Sequence, residues 1–548
     1  MLYNQNDNES ETSDFSNSFI KESENDNFKK NLCKWAVSNN ITHIAVNSLL
    51  KLLHHSCLKN LPLDARTLLG TPRHVNNKQV VAPGYYVHLG FKNGLEYLYT
   101  INDVLFFDIL ELYVDVDSLP LSKNSGSQFY PILCSLTKYP NNVAMIGIYH
   151  GYKKPSSANE FIKHFVEEIT SLIQSGFSFK GITLPIMVNA FICDAPAKSF
   201  ISYCKGHTGF YSCTKCTQKG KYIKGRTCFP KINSVKRTNR SFIIKQQPQH
   251  HTGTSLLEKV PKLGMVTNFP LEYMHLVCLG VVKKLLMLWY YGTPAQKLSK
   301  EGITATCSSH KKMANEVPSD FVRKPRSIEE IKRWKATEFR MFLLYTGPVV
   351  MHQILSNEKY LNFLALSISI RILASKQIHT VYLDYANSLL IYFAQSFGQL
   401  YGEEYISHNV HGLLHMTDDV QIHGQLDSYS AFPFENFMQS LKKQIRKSDN
   451  PLAQIVRRIS ERKKVKCNTS GRYDEKTFKF LFPHKSGPIP IEKDFDLQYM
   501  QMEYKGYILN TKVGDNCCKL VQGEIIVVYN FGKKDGVDYI IGRVLLHS

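Results

Sequence analysis

Thiols, imidazoles and carboxylates recur in this chain at spacings that suit metal ions. Cys213 and Cys216 form a Cys-x-x-Cys pair in a basic loop, a spacing that lets two thiolates grip one Zn²⁺ while two further ligands come from elsewhere. A thioredoxin-type redox role would want the pair at a helix start after a strand, which the loop context does not offer. The segment HNVHGLLHMTDDV reads as helix and sets His408, His411 and His415 on one face, so any adjacent two could complete a metal site. Asp117 in YVDVDSLPLSK and Asp194 in NAFICDAPAK each close a strand-like run, and carboxylates at strand ends can hold two hard cations beside a phosphate. Asp115, two residues back on the same face, competes for the first of these positions. Glu435 opens the segment FPFENFMQSLKKQIRKSDNP, followed by Gln439, Lys442 and Arg446 on one helical face, with Lys443 beside them. Such a face could ligate a cation at its start and hold a phosphate backbone further along. Glu272 in LEYMH is the rival third carboxylate, because it also opens a helix.

These groups need strands and helices to place them. VLFFDILELYVDVDSL, SQFYPILCSL and NVAMIGIYHGY are β-rich runs separated by Pro, Asn and Gly signals, as consecutive antiparallel strands are. Ser157 then opens a helix through a capping box with Glu160, and Phe161, Ile162, Phe165, Ile169, Leu172 and Ile173 make its apolar stripe. The strand PIMVNAFIC follows and runs into Asp194, giving the order β, β, β, α, β. In the Glu435 segment, Pro433 suits a first helical position and Phe434, Phe437, Leu441 and Ile445 form the expected buried stripe. A second helix after Asn450-Pro451 carries Arg457, Arg458, Arg462, Lys463, Lys464 and Lys466, a cluster suited to DNA or to nuclear import.

With 548 residues the chain is too long for one small module. The expected organisation is a disordered acidic tail (1–28), a helical N-terminal domain (29–80), the first part of a catalytic core (81–200), the CxxC loop region (201–260), an all-helical insertion (261–425), a last core helix with a basic helix (426–466), a linker (467–495) and a small β-rich domain (496–548). No apolar run approaches the ~20 residues that span a bilayer, which points away from a membrane protein. The first residues lack a signal-peptide pattern, so the thirteen cysteines are expected in a reducing compartment. Net charge is +21, and because residues 1–28 hold seven acids and one lysine, the rest of the chain carries +27. A field of that sign favours a polyanion, nucleic acid before membrane.

The markers DSLPLSKNSGSQFYPIL, ICDAPAKSF with KGHTGFYSCTKC, LEYMHLVCLGVVKKLL, and NVHGLLHMTDDV leading into FPFENFMQSLKKQIRKS follow one another in an order that resembles the DDE transposases of the CACTA and Chapaev group, and more distantly Transib transposases and the V(D)J recombinase catalytic subunit. The resemblance spans roughly residues 105–465. It implies an α/β fold with an RNase H-like core interrupted by the helical insertion, two Mg²⁺ (or Mn²⁺) ions on Asp117, Asp194 and Glu435, and one structural Zn²⁺ on Cys213, Cys216, His411 and His415, with His408 left over. Ser118 stands where a glycine often follows the first aspartate, which keeps Asp115 in play. The implied activity is cutting and joining of double-stranded transposon DNA, by a homo-oligomer in the nucleus and away from membranes. Lys442, Lys443, Arg446, Arg457 and Arg458 would hold the DNA. The alternative is a transposase-derived DNA-binding protein without catalytic activity.

Overall fold

In the computed structural model, residues 26–56, 60–75, 77–102, 108–122, 124–465, 478–490, 494–504 and 507–545 are described. Most of the expected acidic tail lies outside these residues, as do Lys466 and residues 467–477 and 491–493 of the expected linker. The protein is mixed α/β and divides into two compact units, each assembled from separate stretches of chain: 1–204, 239–270 and 431–470 in the first, 205–238, 271–430 and 471–548 in the second.

The first unit is built on one sheet. Its strands are β1 (Lys78–Val81), β2 (Gly84–His88), β3 (Leu110–Val116), β4 (Leu119–Pro120), β5 (Gln128–Leu136) and β6 (Tyr139–Gly151); after the small hairpin β7 (Phe177–Phe179) and β8 (Ile182–Leu184) comes β9 (Ile186–Phe191). The order across the sheet is β1-β2-β6-β5-β3-β9, with β4 on β5. Strands β3, β5 and β6 pair antiparallel, while β9 lies parallel to β3 with Leu110 opposite Ile186 and Val114 opposite Phe191. A parallel neighbour needs a long crossover, and the helix Ala158–Ser175 supplies it. Ser157 caps that helix by accepting from the Glu160 amide, as the sequence leads one to expect, and Phe161, Ile162, Phe165, Val166 and Ile169 are its buried stripe. Strand β3 lies between two neighbours and is buried almost throughout, so it reads as a continuous apolar run broken by Asp115.

Two elements escape the sequence reading. The hairpin β1–β2 extends the sheet beyond β6, although residues 78–80 were expected to be helical. The helix Phe91–Ile101 also lies in this region, and its N-terminus is held by a side chain from the crossover helix: Glu168 accepts from the Phe91 and Lys92 amides at 2.7 and 3.2 Å and from His88 Nε2 at 2.8 Å. The N-terminal helices, residues 26–38, His43–Ser56 and Ala65–Leu69, share a core of Leu32, Ala36, Val46, Leu50, Leu68 and other apolar residues, and the first two are joined through a turn at Asn39-Asn40. Residues 26–28, assigned to the tail from sequence, belong to the first of them.

The second unit is mostly helical before its C-terminal sheet. The run Met274–Tyr291, 18 residues of mean hydropathy 1.3, is long and apolar enough to cross a membrane by length and composition, contrary to the sequence reading; 56% of it is buried inside the protein, as in a core helix. Near its C-terminal end Trp289 donates to Oη of Tyr401, on the helix Leu383–Tyr401, at 2.9 Å. The unit also contains the hairpin β10 (Lys221–Ile223) and β11 (Arg226–Cys228), and an antiparallel C-terminal sheet of β12 (Lys479–His484), β13 (Leu497–Tyr504), β14 (Tyr507–Asn510), β15 (Cys517–Lys519), β16 (Ile525–Lys534) and β17 (Val537–Leu545). Strand β12 falls in the expected linker: PHKSGPIP masks a strand whose apolar residues lie just before it. Asp535 and Gly536, both at positive φ, make the two-residue turn that joins β16 to β17.

The Glu168 clamp gives a pH test. Burial opposes its charge, but the His88 hydrogen bond and the two helix amides outweigh that and hold its carboxyl below the ordinary value. A depressed carboxylate contributes stability above its unfolded pKa and loses it as pH falls through the folded value. Denaturant titrations from pH 7 to pH 3 should therefore show a shallower acid loss in Glu168→Gln than in the parent, with the variant already weaker at pH 7.

Candidate metal centres

Asp117 and Asp194 meet because β3 and β9 run side by side in the same direction. Asp117 is the first residue after β3, and the chain leaving β9 reaches Asp194 at the same edge of the sheet. Both are half-buried, and a carboxylate oxygen of one lies within 4.8 Å of one of the other. Asp194 also caps the helix Ala195–Ile201, its Oδ1 accepting from the Ala197 amide at 2.7 Å, and Pro196 suits the first turn. Asp117 Oδ1 accepts from the Ser118 amide at 2.6 Å. Burial pushes the nearby Tyr130 hydroxyl pKa up, and the charges of Asp117 and Asp194 add to it. Asp115 sits inside β3, opposite Leu133 and 2% exposed, where its charge, after burial itself, pushes the Cys193 thiol up. The residue grouped with Asp194 is thus Asp117.

Glu435 is half-buried in the first turn of the helix Phe432–Gln444 and does not come within 4.8 Å of both aspartates. Its helix packs against β6, two strands from β3 in the sheet order. The buried face is Phe434, Met438, Leu441 and Gln444, so Phe437 and Ile445 of the expected stripe are replaced by their neighbours. Lys442 Nζ donates to the Pro120 carbonyl at 2.6 Å, and Lys443 is exposed. Arg446 does not share a helical face with Glu435. The helix stops at Gln444, Ile445 is extended, and the Gln454 side chain captures the Arg446 and Lys447 amides at 2.9 and 3.2 Å, replacing the helical bonds they would have made.

The basic helix Pro451–Val465 is less free than its composition suggests. Arg457 donates to the Arg73 carbonyl at 2.8 Å, while Arg458 meets His43 Nε2 at 2.6 Å and pairs with Glu461 at 2.9 Å. Glu461 is buried and takes a further 3.2 Å contact from His43. Burial lowers the Arg458 pKa, against the opposing pull of Glu461. Glu272, the rival carboxylate, is spent on its own helix: it accepts from the Met274 and His275 amides at 2.8 and 2.7 Å and from His275 Nδ1 at 2.8 Å.

In the second unit Cys213, Cys216, His411 and His415 converge in one buried cluster. The sulfurs are 3.5 Å apart, Cys213 Sγ is 3.6 Å from His415 Nε2, Cys216 Sγ is 3.2 Å from His411 Nε2, and the two Nε2 atoms are 3.3 Å apart. Bonds of about 2.3 Å to sulfur and about 2.0 to 2.1 Å to nitrogen in a tetrahedron require edges of about 3.8, 3.6 and 3.3 Å. The cluster matches these to within a few tenths of an ångström, so the four side chains could hold zinc. The hydrogen bond from Cys216 holds the Cys213 thiol well below its ordinary pKa despite burial, with His415 helping, and Cys216 is pushed up in turn. One thiolate is therefore already favoured before a cation arrives. His408 stands outside the cluster, its Nδ1 3.0 Å from Ser212 Oγ, because the helix His408–Gly412 tightens over Leu413–His415 before resuming at Met416.

The residues that fix this cluster were not singled out from sequence. Buried Arg237 donates to the Cys213 and Cys216 carbonyls at 3.4 and 3.0 Å and pins the loop. Lys215, inside the CxxC itself, pairs at 2.5 Å with buried Asp419, which also accepts from the Leu271 amide at 2.8 Å. The Gln218 amide lies 3.0 Å from His411 Nδ1, and the Phe229 ring stacks on His411 at 5.7 Å. The only hint was that CTKC and HMTDDV each carry a charge that an apolar interior could not accept alone.

Purified protein should carry one zinc per chain by elemental analysis, and Cys213→Ser or His415→Ala should remove most of it. Asp419→Ala removes the carboxylate that pairs with the buried Lys215 ammonium, and should lower stability by about 3 to 5 kcal/mol in denaturant unfolding.

Residues 483–548 match a family model described as a domain of unknown function (DUF8592), which covers most of the C-terminal sheet and none of either cluster. No curated protein matches the chain.

Proposed function

We propose that the chain cuts and joins double-stranded DNA by metal-dependent phosphoryl transfer, as a DDE-type transposase. The observation that carries this reading is the Asp117–Asp194 pair at the ends of adjacent parallel strands. Three antiparallel strands, a crossover helix and a fourth strand parallel to the first, in the spatial order β6-β5-β3-β9, are the arrangement expected of an RNase H-like core. The donor set also fits. Two carboxylates with oxygens within 4.8 Å are hard ligands of the kind Mg²⁺ or Mn²⁺ takes.

Asp117 and Asp194 would hold the cations, which when bound supply Lewis acidity toward the phosphate and its leaving oxygen. The Ala197 and Ser118 amides fix one oxygen of each carboxylate and so set the ring of donors before substrate arrives. Lys442 is placed by the Pro120 carbonyl a few residues beyond Asp117, where a phosphate flanking the scissile bond would meet its charge. Zinc on Cys213, Cys216, His411 and His415 has a structural part, tying the CxxC loop to the helical insertion. Double-stranded DNA as partner, a homo-oligomer as the working form and the nucleus as its place belong to the same reading. The second reading, a DNA-binding protein without catalysis, is favoured by one observation, that Glu435 stands outside the aspartate pair.

A nicking assay on DNA carrying the element's ends, with 5 to 10 mM Mg²⁺ or Mn²⁺ as roughly saturating concentrations, decides between them. Asp117→Asn and Asp194→Asn should each reduce cleavage about 10³-fold, the equivalent of about 4 kcal/mol of lost transition-state stabilisation, with binding retained. Glu435→Gln should do the same if Glu435 closes on the pair with substrate. Wild-type protein that binds DNA and never nicks it with either cation would leave the binding-only reading.

A further inference from the structure

Within the first unit a groove of about 1540 Å³ opens between the N-terminal helices and the segment 444–464. Its lining includes neither Asp117 nor Asp194, and it carries eight Lys and Arg side chains against three carboxylates. Two of those carboxylates are already committed, Asp64 to Arg66 at 3.2 Å and Glu461 to His43 and Arg458. The net field in the groove is therefore strongly positive. The volume exceeds the roughly 300 to 1,000 Å³ of a small-molecule pocket, and the walls are charged where such a pocket would be mainly apolar.

The basic side chains are held in place rather than loose. Arg446 and Arg462 donate to the Asn40 carbonyl and Oδ1 at 2.5 and 3.2 Å, Arg457 to the Arg73 carbonyl at 2.8 Å, and Lys464 to the Gly70 carbonyl at 2.5 Å. A guanidinium has five N–H donors, so those of Arg446 and Arg457 have more than the one used here. Arg73 and Lys447 are exposed, with no hydrogen bond or ion pair on their side chains among the described residues. Gln454 stiffens the loop that presents Lys447, accepting from two of its amides and donating to the Lys447 and Asp449 carbonyls at 2.8 and 2.7 Å.

We infer that this groove is a second nucleic-acid site, one that grips the sugar–phosphate backbone without reading sequence, with Arg73 and Lys447 as phosphate contacts and Gln454 as the residue positioning the Lys447 loop. The inference deepens the DNA reading above but needs neither the carboxylates nor cleavage. Fixed cationic donors lining a groove of this size suit a regularly spaced polyanion, and contacts to phosphate carry charge rather than base identity.

The test is equilibrium binding of the full-length protein to fluorescent random-sequence duplex DNA across a salt series. Arg73→Gln/Lys447→Gln should lower the magnitude of the log affinity against log salt slope by about 1.8, at about 0.9 per lost phosphate contact, equally for unrelated sequences. Gln454→Ala should weaken binding in the same direction with bound zinc and the thermal transition unchanged. An unchanged slope in the double variant overturns the inference, as does a poly-glutamate of equal charge displacing the DNA equally well. Asp117→Asn measured alongside separates the two claims: full binding there with no nicking in any variant would fell the catalytic reading and leave the groove.

Discussion

The first unit depends on the parallel pairing of β3 with β9. Antiparallel strands can be joined by a tight turn, but a parallel pair forces the chain across the sheet, and here the crossover helix Ala158–Ser175 covers the face it crosses. That helix buries Phe161 and Phe165, and Phe165 in turn meets both Phe91 and Phe191 at 5.1 and 5.8 Å between ring centres. One consequence is chemical. Parallel strands end at the same edge, so acids that follow each of them, more than seventy residues apart in sequence, are brought side by side. On the metal reading proposed above, a divalent cation between them would offset the repulsion of two like charges.

The second unit solves a different problem with the same kind of economy. Cys216 and His411 are 195 residues apart, and holding them together closes a loop of that length. Loop closure grows only with the logarithm of length, about 5 kcal/mol for its length-dependent part here. A zinc ion on two thiolates and two imidazoles contributes about 10 to 16 kcal/mol in small zinc domains, enough to offset that cost with a margin. The Lys215–Asp419 pair and Arg237 cannot do so alone, since a buried ion pair roughly breaks even against its desolvation. They orient the loop, and the four ligands close it.

Sequence carried the order of the central strands, the crossover helix with its Ser157 cap, and the Cys213–Cys216 pair, because each rests on local grammar: alternation, a cap, a fixed ligand spacing; spacing alone left His408, His411 and His415 open, and the choice of the last two came with the family resemblance. It missed what depends on distant partners. Nothing near Lys78 announces that β1 and β2 will extend a sheet whose other strands begin thirty residues on, and Asp115 and Asp117 look alike until the strand end falls between them. Arg446 seemed to continue a helix that Gln454, eight residues downstream, cuts off. The linker strand β12 carries Phe480, Leu481 and Phe482 as a short run without alternation and ends in Pro483, so it lacks a strand's period. Glu272 read as a ligand candidate because a helix-start carboxylate looks the same whether it serves a cation or its own helix amides.

The two clusters also divide the chemistry between them by hardness and by access. Oxygen donors at half-buried strand ends suit a hard ion that exchanges with solvent, as Mg²⁺ does when it keeps part of its water and binds through few carboxylates. Sulfur and imidazole donors sealed in the interior suit an ion that never leaves. Interchanging them would defeat both. Thiolates at the strand ends would hold a soft cation too tightly for turnover and lie open to oxidation, and carboxylates in the sealed site would each bear a desolvation cost that few hydrogen bonds there could relieve. Within these two clusters the donor types follow burial: the two acids are half-buried, and the thiols and imidazoles are buried.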